Sequence, residues 1–207
     1  MVEGMDNADE DGGVQQLLRT FLDVQQRRAS VYSLWHKGFA DYLKTSSDDE
    51  FSKLCGQITI DFNECSRQVR DIIARLKDES VLREDLASVL EQVQVQESQK
   101  LRMTSVLQVL RKAGRPSERA NVTEQRQQHS TSSSHVCSHG AHAEAEGLEM
   151  AQLEAEFDAA VKEATGSVQD AVVSINEHME EIRYEIEDLE QKQSEILHDL
   201  EMSRVTL

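Results

Sequence analysis

Apolar residues recur at alternating spacings of four and three along almost the whole chain, and short polar breaks divide them into separate runs. Between residues 14 and 114 there are three such runs. The first carries Leu17, Phe21, Val24, Arg28, Val31, Trp35, Gly38 and Tyr42, with Leu18, Leu22, Ala29, Tyr32, Phe39 and Leu43 on an adjoining stripe. Two adjoining stripes predict a helix with a wide buried face. Ser47-Asp48-Asp49-Glu50 has the form of a capping box, in which the Ser hydroxyl and Glu carboxylate satisfy free amides at a helix start. A second stripe follows at Phe51, Leu54, Ile58, Phe62, Cys65, Val69, Ile72 and Leu76. The third helix is expected to start near Ser80 and to use Leu82, Leu86, Val89, Val93, Gln96, Lys100, Met103, Leu107 and Leu110, until Gly114-Arg115-Pro116 ends it. The short connections predict an up-down-up bundle.

A fourth run extends from Leu148 to about Met202 and predicts one long helix, with Gly166 as the place where it could bend. The half before Ile175 is expected to close the bundle. Beyond it, Ile175, Met179, Ile182, Ile186, Leu189, Ile196 and Leu200 form a heptad-like stripe expected to dock a partner. Glu185 and Glu190 would face their own copies in a parallel homodimer, which disfavours that pairing and leaves antiparallel self-association or a more basic partner. The competing expectation is that this stripe folds back on its own bundle. The fold class is therefore all-α, an antiparallel helical bundle with a long coiled-coil-like C-terminal helix. Its segments are a disordered acidic stretch at 1–13, a three-helix bundle at 14–114, a disordered linker at 115–147 and an acidic amphipathic helix at 148–207.

Two positions interrupt the apolar pattern of the first helix. Arg28 sits at the depth of Gln96 on the third helix and of Asn63 and Glu64 on the second, so a polar layer is expected, with Arg28 paired to Glu97 or Glu64; the alternative is that Arg28 snorkels to water. Gly38 is a weak helix former, and close approach of a neighbour would explain its use.

One Pro and nine Gly are too few for a turn-rich β architecture, and the acidic first residues resemble no signal peptide. No apolar run reaches the ~20 residues of a membrane span. With three scattered cysteines and no CxxC, the expectation is a reduced, intracellular chain. Net charge is −17, most of the excess lying in residues 148–207, and a field of that sign repels phosphate backbones, so direct DNA binding is disfavoured. The basic set Arg67, Arg70, Arg75 and Lys77 is offset by Asp71, Asp78 and Glu79, and reads as a solvated helix surface.

Candidate chemistry is thin. His135, Cys137, His139 and His142 place four possible zinc ligands in a Ser/Gln/His-rich stretch, but the flanking residues offer no orienting shell and no metal site is assigned. Cys65 lies on the apolar stripe as a small core residue. His36 is expected at the bundle boundary beside Trp35, and Glu195-x-x-His198 is half of a di-iron motif with no second half. No phosphate loop, nucleophile elbow or HExxH occurs, so the expectation is a protein that is not an enzyme and uses no cofactor.

Gln25, Arg28, Ala29, Tyr32, Gly38, Tyr42 and Leu43, in that order and spacing, resemble the opening helix of the required for excision 1-B domain family. The similarity continues through Phe51, Gln96-Glu97, Leu107, Leu110 and Gly114, and is weaker in the C-terminal helix. The resemblance implies an all-helical domain with a role in DNA repair, namely nucleotide excision repair of ultraviolet lesions. With it come repair-complex subunits as protein partners and a nuclear location. It supplies no catalytic residue and no cofactor. Composition and heptads alone favour equally a cytoskeletal or trafficking coiled-coil adaptor.

Overall fold

The computed structural model describes residues 3–119 and 140–205, and the elements are α1 (Glu3–Thr45), α2 (Asp48–Leu76), α3 (Glu84–Ala113) and α4 (Gly140–Val205). Three starts differ from expectation, α3 opening at Glu84 rather than near Ser80. Helix α1 begins at Glu3, inside the acidic stretch expected to be disordered, because carboxylates in the first turns of a helix interact favourably with its dipole. Helix α4 begins at Gly140, before Leu148, through an Ala/Glu-rich stretch of strong helix formers, and passes Gly166 without a break. The cluster His135, Cys137 and His139 lies outside the described residues, as does the side chain of His142.

The chain forms two compact units. Unit 1 comprises residues 1–98 and 172–207, and so contains α1, α2, the first half of α3 and the last half of α4. Helices α1 and α2 form a tight antiparallel hairpin around Ser46 and Ser47. Ser46 adopts a left-handed φ of 54° and donates its N–H to the Tyr42 carbonyl at 2.8 Å. The capping box does not form as expected: Ser47 makes no side-chain cap bond, and the start of α2 is marked instead by Asp48, Asp49 and Glu50.

Four layers of side chains make one core in unit 1. Helix α1 gives Val14, Leu17, Leu18, Phe21 and Val24; α2 gives Cys65, Val69, Ile72, Ile73 and Leu76; α3 gives Leu86, Ala87, Leu90 and Val93; and α4 gives Ile175, Met179, Ile182, Ile186 and Leu189. Full burial of each large aliphatic side chain stabilises by about 1.5–3 kcal/mol. The contribution of α4 corrects the sequence reading. It is the segment from Ile175 onward, expected to seek a partner, that supplies the fourth wall of this core. Arg19 of α1 pairs with Glu190, and Arg83 with Glu185 at 2.7 Å, which fasten the same segment at its polar edge.

Unit 2 comprises residues 99–171. The second half of α3 buries Thr104 and Gln108, whereas the expected stripe positions Met103, Leu107 and Leu110 are half-buried. The buried face has turned by one position because an α-helix advances 3.6 residues per turn, and a strict four-three reading drifts over several turns. Gly114, with φ 70°, ends α3 as expected and donates to the Leu110 carbonyl. Arg115 then reaches Glu154 and Asp158 of α4, each at 2.7 Å, with its guanidinium 5.9 Å from the Phe157 ring centroid. The Ser117 amide donates to Glu154 at 2.8 Å, so the chain leaving α3 is tied to α4 by charge-assisted bonds.

Candidate functional site

The residues that carried the family pattern were the first candidates for function, and α1 places most of them in the interior of unit 1. Gln25, Arg28 and Tyr32 fall at helical spacing on one face, and all three are buried, Arg28 to 2% exposure. Arg28 does not snorkel. Its guanidinium donates to Gln94 Oε1 at 2.8 Å, to Ser66 Oγ at 3.3 Å and to Gln25 Oε1 at 3.4 Å. Gln94 in turn donates to the Ser66 carbonyl at 3.2 Å, so the layer ties α1, α2 and α3 together. The polar layer was expected, but its partners were not. Neutral amide and hydroxyl oxygens take the place of Glu97 and Glu64, because a planar guanidinium can reach several acceptors in fixed directions.

Glu97 lies close by and is buried. Tyr32 donates its hydroxyl toward the Glu97 carbonyl at 3.5 Å, and its ring packs against Phe62 with centroids 4.7 Å apart. Burial first, then the nearby Glu97 charge, pushes the Tyr32 phenol well above the ordinary tyrosine range, while Arg28 opposes the shift. A folded-state pKa above the unfolded value means that this stability is fully present below about pH 10 and is lost as pH rises beyond it. Tyr32→Phe is therefore expected to flatten the loss of stability above about pH 10 relative to the parent chain. Denaturant titrations followed through Trp35, the sole tryptophan and 6.3 Å from the Tyr32 ring, measure it; parallel pH slopes in the two chains would count against the assignment.

Gly38 answers to a close approach. A Cβ at this position would run into the end of the Leu54 side chain of α2, which would have to shift. Gly38→Ala is expected to destabilise by about 1–2 kcal/mol, the overpacking outweighing the gain in helix propensity. Adding Leu54→Ala should remove the clash, so a double-mutant cycle in thermal denaturation should show positive coupling; strict additivity would contradict it. Nearby, Tyr42 stacks on Phe51 at 4.6 Å and donates its hydroxyl to Asp48 at 2.9 Å, securing the α1–α2 turn.

Two pattern residues behave otherwise: Ala29 and Leu43 are exposed rather than on a buried stripe. A shallow groove of about 290 Å³ between α1 and α2 is lined by Arg27, Ser30, Val31, Leu34, Asp61 and Glu64. The stripe expected to dock a partner is brought together, but inside the molecule. Ile175, Met179, Ile182, Ile186 and Leu189 are core residues of unit 1, Ile196 is half-buried, and the side chain of Leu200 lies outside the described residues. Those five therefore offer no free apolar face for a partner, contrary to expectation, because they close the core of their own chain.

The basic set on α2 is partly neutralised. Arg67 makes a bidentate contact with Glu64 and a further bond to Asp71 at 2.7 Å, and Lys77 pairs with Glu91 at 2.6 Å. Bonds from Arg67, then from Gln68, hold the Glu64 carboxyl down to about 2. His36 is exposed and stacked against Trp35 and Tyr32. Among the described residues no group of His, Cys, Asp and Glu is placed to hold a metal ion, and no helix is long and apolar enough to cross a membrane.

Sequence reasoning missed Gln94 and Ser66. Neither lies on an apolar stripe, and the only available signal was the depth of Arg28 within a stripe otherwise apolar.

An α1–α2–α3 arrangement with a buried Gln/Arg/Tyr face defines a helical domain rather than a cleft. Residues 16–111 match the family model described as DNA repair REX1-B, a span from α1 to the end of α3. Residues 16–111, a little under half of the chain, are thus a domain of that family, and by its name the family is related to DNA repair. No match was found among curated proteins or among solved structures.

Proposed function

We propose that this chain is a non-enzymatic helical interaction protein of excision repair, acting on ultraviolet-type damage by nucleotide excision through binding protein subunits in the nucleus. The observation that carries the reading is the family match over α1 to α3. The geometry supports an interaction role, because the distinctive polar residues of α1 are engaged in holding helices together rather than converging on an open cleft. The outward side of α4 in unit 1 presents Glu177, Glu181 and Glu187, with Glu180 and Asp188 paired to Arg183 and Lys192, and its net negative charge opposes approach of a phosphate backbone. Protein partners fit such a surface better than DNA does.

The test is affinity purification of the full chain with mass spectrometry, before and after ultraviolet exposure. Enrichment of repair-complex subunits from a nuclear fraction is the expected result. Predominance of tubulin, motors or vesicle coat proteins in both conditions would replace this reading with the coiled-coil adaptor. A duplex titration at two salt concentrations should show no steep salt slope; a slope of several charges would make DNA itself the partner.

A further inference from the structure

The connection between α2 and α3 in unit 1 holds one residue that folding alone does not explain. Leu82 has a φ of 48°, in the left-handed region that bulky side chains avoid, and its side chain is 67% exposed. A glycine or asparagine would fit the same backbone with less strain. A leucine here combines backbone strain with apolar surface left in water.

The surroundings fix this conformation from both sides. Asp78 accepts bonds from the Ser80 amide and hydroxyl through its carboxylate, at 3.0 and 2.7 Å, and from the amides of Val81 and Leu82 through its carbonyl, both at 2.9 Å. Val81 turns inward and packs on the core. The Arg83 amide donates to the Leu76 carbonyl at 2.9 Å, and its guanidinium is held by Asp85 and by Glu185 of α4. With Val81 drawn in and Arg83 clamped, Leu82 is held outward on a rigid mount. Tyr184 is as exposed as Leu82, but it lies on a regular helix, where single exposed apolar residues are ordinary. Strained, over-determined positions concentrate where proteins contact other molecules.

From this geometry we infer that Leu82 is the anchor residue by which the chain docks a protein partner, inserting into an apolar pocket rimmed by Lys or Arg. The charge of the rim follows from Glu79 and Glu84, exposed carboxylates on either side that enter no ion pair among the described residues. A pre-organised apolar knob loses little freedom on binding, which is what an anchor requires. The inference rests on the interaction reading above and names its contact point.

Two measurements on the full chain test it. Leu82→Gly relieves the backbone, so its melting temperature should rise by about 2–4 °C. For binding, a photoreactive benzophenone side chain is placed at position 82, or at position 184 as control, and adducts formed in cells are mapped by peptide sequencing. Position 82 should give one dominant adduct, at apolar residues flanked by Lys or Arg, that position 184 does not give. Added parent chain or Leu82→Met should compete for it, and Leu82→Gly should compete roughly thirty-fold less well.

Equal competition by Leu82→Gly, an unchanged or lowered melting temperature, an adduct on a second copy of this chain, or one on an acidic surface would each overturn the anchor. If the mapped partner belongs to no repair complex yet depends on Leu82, the anchor stands and the repair reading falls. If repair subunits are recovered equally with Leu82→Gly, the anchor falls and the repair reading stands.

Discussion

Joint replacement of Ile186→Asp and Leu189→Asp is expected to unfold unit 1. Both side chains are buried in its core, alongside Leu18, Phe21, Leu76 and Leu90. Losing each aliphatic group removes about 2–5 kcal/mol, and a carboxylate left without a partner in that setting costs several more. The sum reaches the whole stability of a typical domain, about 5–15 kcal/mol. Had this stripe been a free docking face, the same substitutions would have spared the fold and abolished only binding. Circular dichroism melting separates the two cases: the expected result is loss of the cooperative transition, and a parent-like melt would show that α4 does not close the core. Glu187→Gln with Asp188→Asn, on the exposed side of the same turns, should shift stability by no more than about 0.5 kcal/mol.

The second large effect is expected at Arg28. Arg28→Ala should destabilise by about 2–4 kcal/mol, since it removes the packed stem and leaves Gln94 and Ser66 without their buried donor. Arg28→Lys should recover only part of the loss, because a single ammonium cannot reproduce the planar fork that reaches Gln25, Ser66 and Gln94 together. Arg28→Met combined with Gln94→Leu should be more stable than Arg28→Ala, as both partners are then replaced by apolar groups. Urea unfolding monitored at Trp35 gives the order directly. An Arg28→Ala chain within about 0.5 kcal/mol of the parent would mean that the layer holds nothing together.

Helix identity was written plainly in the sequence, because a four-three alternation over several turns has no other economical reading. The buried faces of α1 and α2 were legible for the same reason, down to Cys65 as a core residue. What periodicity does not encode is which face meets which neighbour at long range. Arg28 was expected to meet Glu97 or Glu64, whereas Gln94 and Ser66 face it; Gln94 and Glu97, three apart, share a helix face but differ in depth by about 4.5 Å, which periodicity does not fix. The stripe at Ile175–Leu189 was found without its partner, since an apolar seam looks the same whether it meets its own chain or another. Leu82 was read as the first core position of α3, but the turn set by Asp78 and Ser80 delays that helix to Glu84 and sends the leucine outward. A short Asp-x-Ser pattern was the local signal for that turn.

The fourth wall of unit 1 has a consequence for how the chain comes into being. Helices α1, α2 and the first half of α3 are complete once residue 98 has been made, yet the segment that covers their apolar faces begins only at residue 172. At cellular elongation rates the intervening stretch delays that cover by on the order of ten seconds. During synthesis a nascent three-helix sheaf therefore waits on the ribosome with core side chains such as Leu18, Phe21 and Leu90 lacking their α4 cover. A premature stop anywhere in the intervening stretch would release that sheaf permanently uncovered, a substrate for chaperones and proteases rather than a shorter working protein.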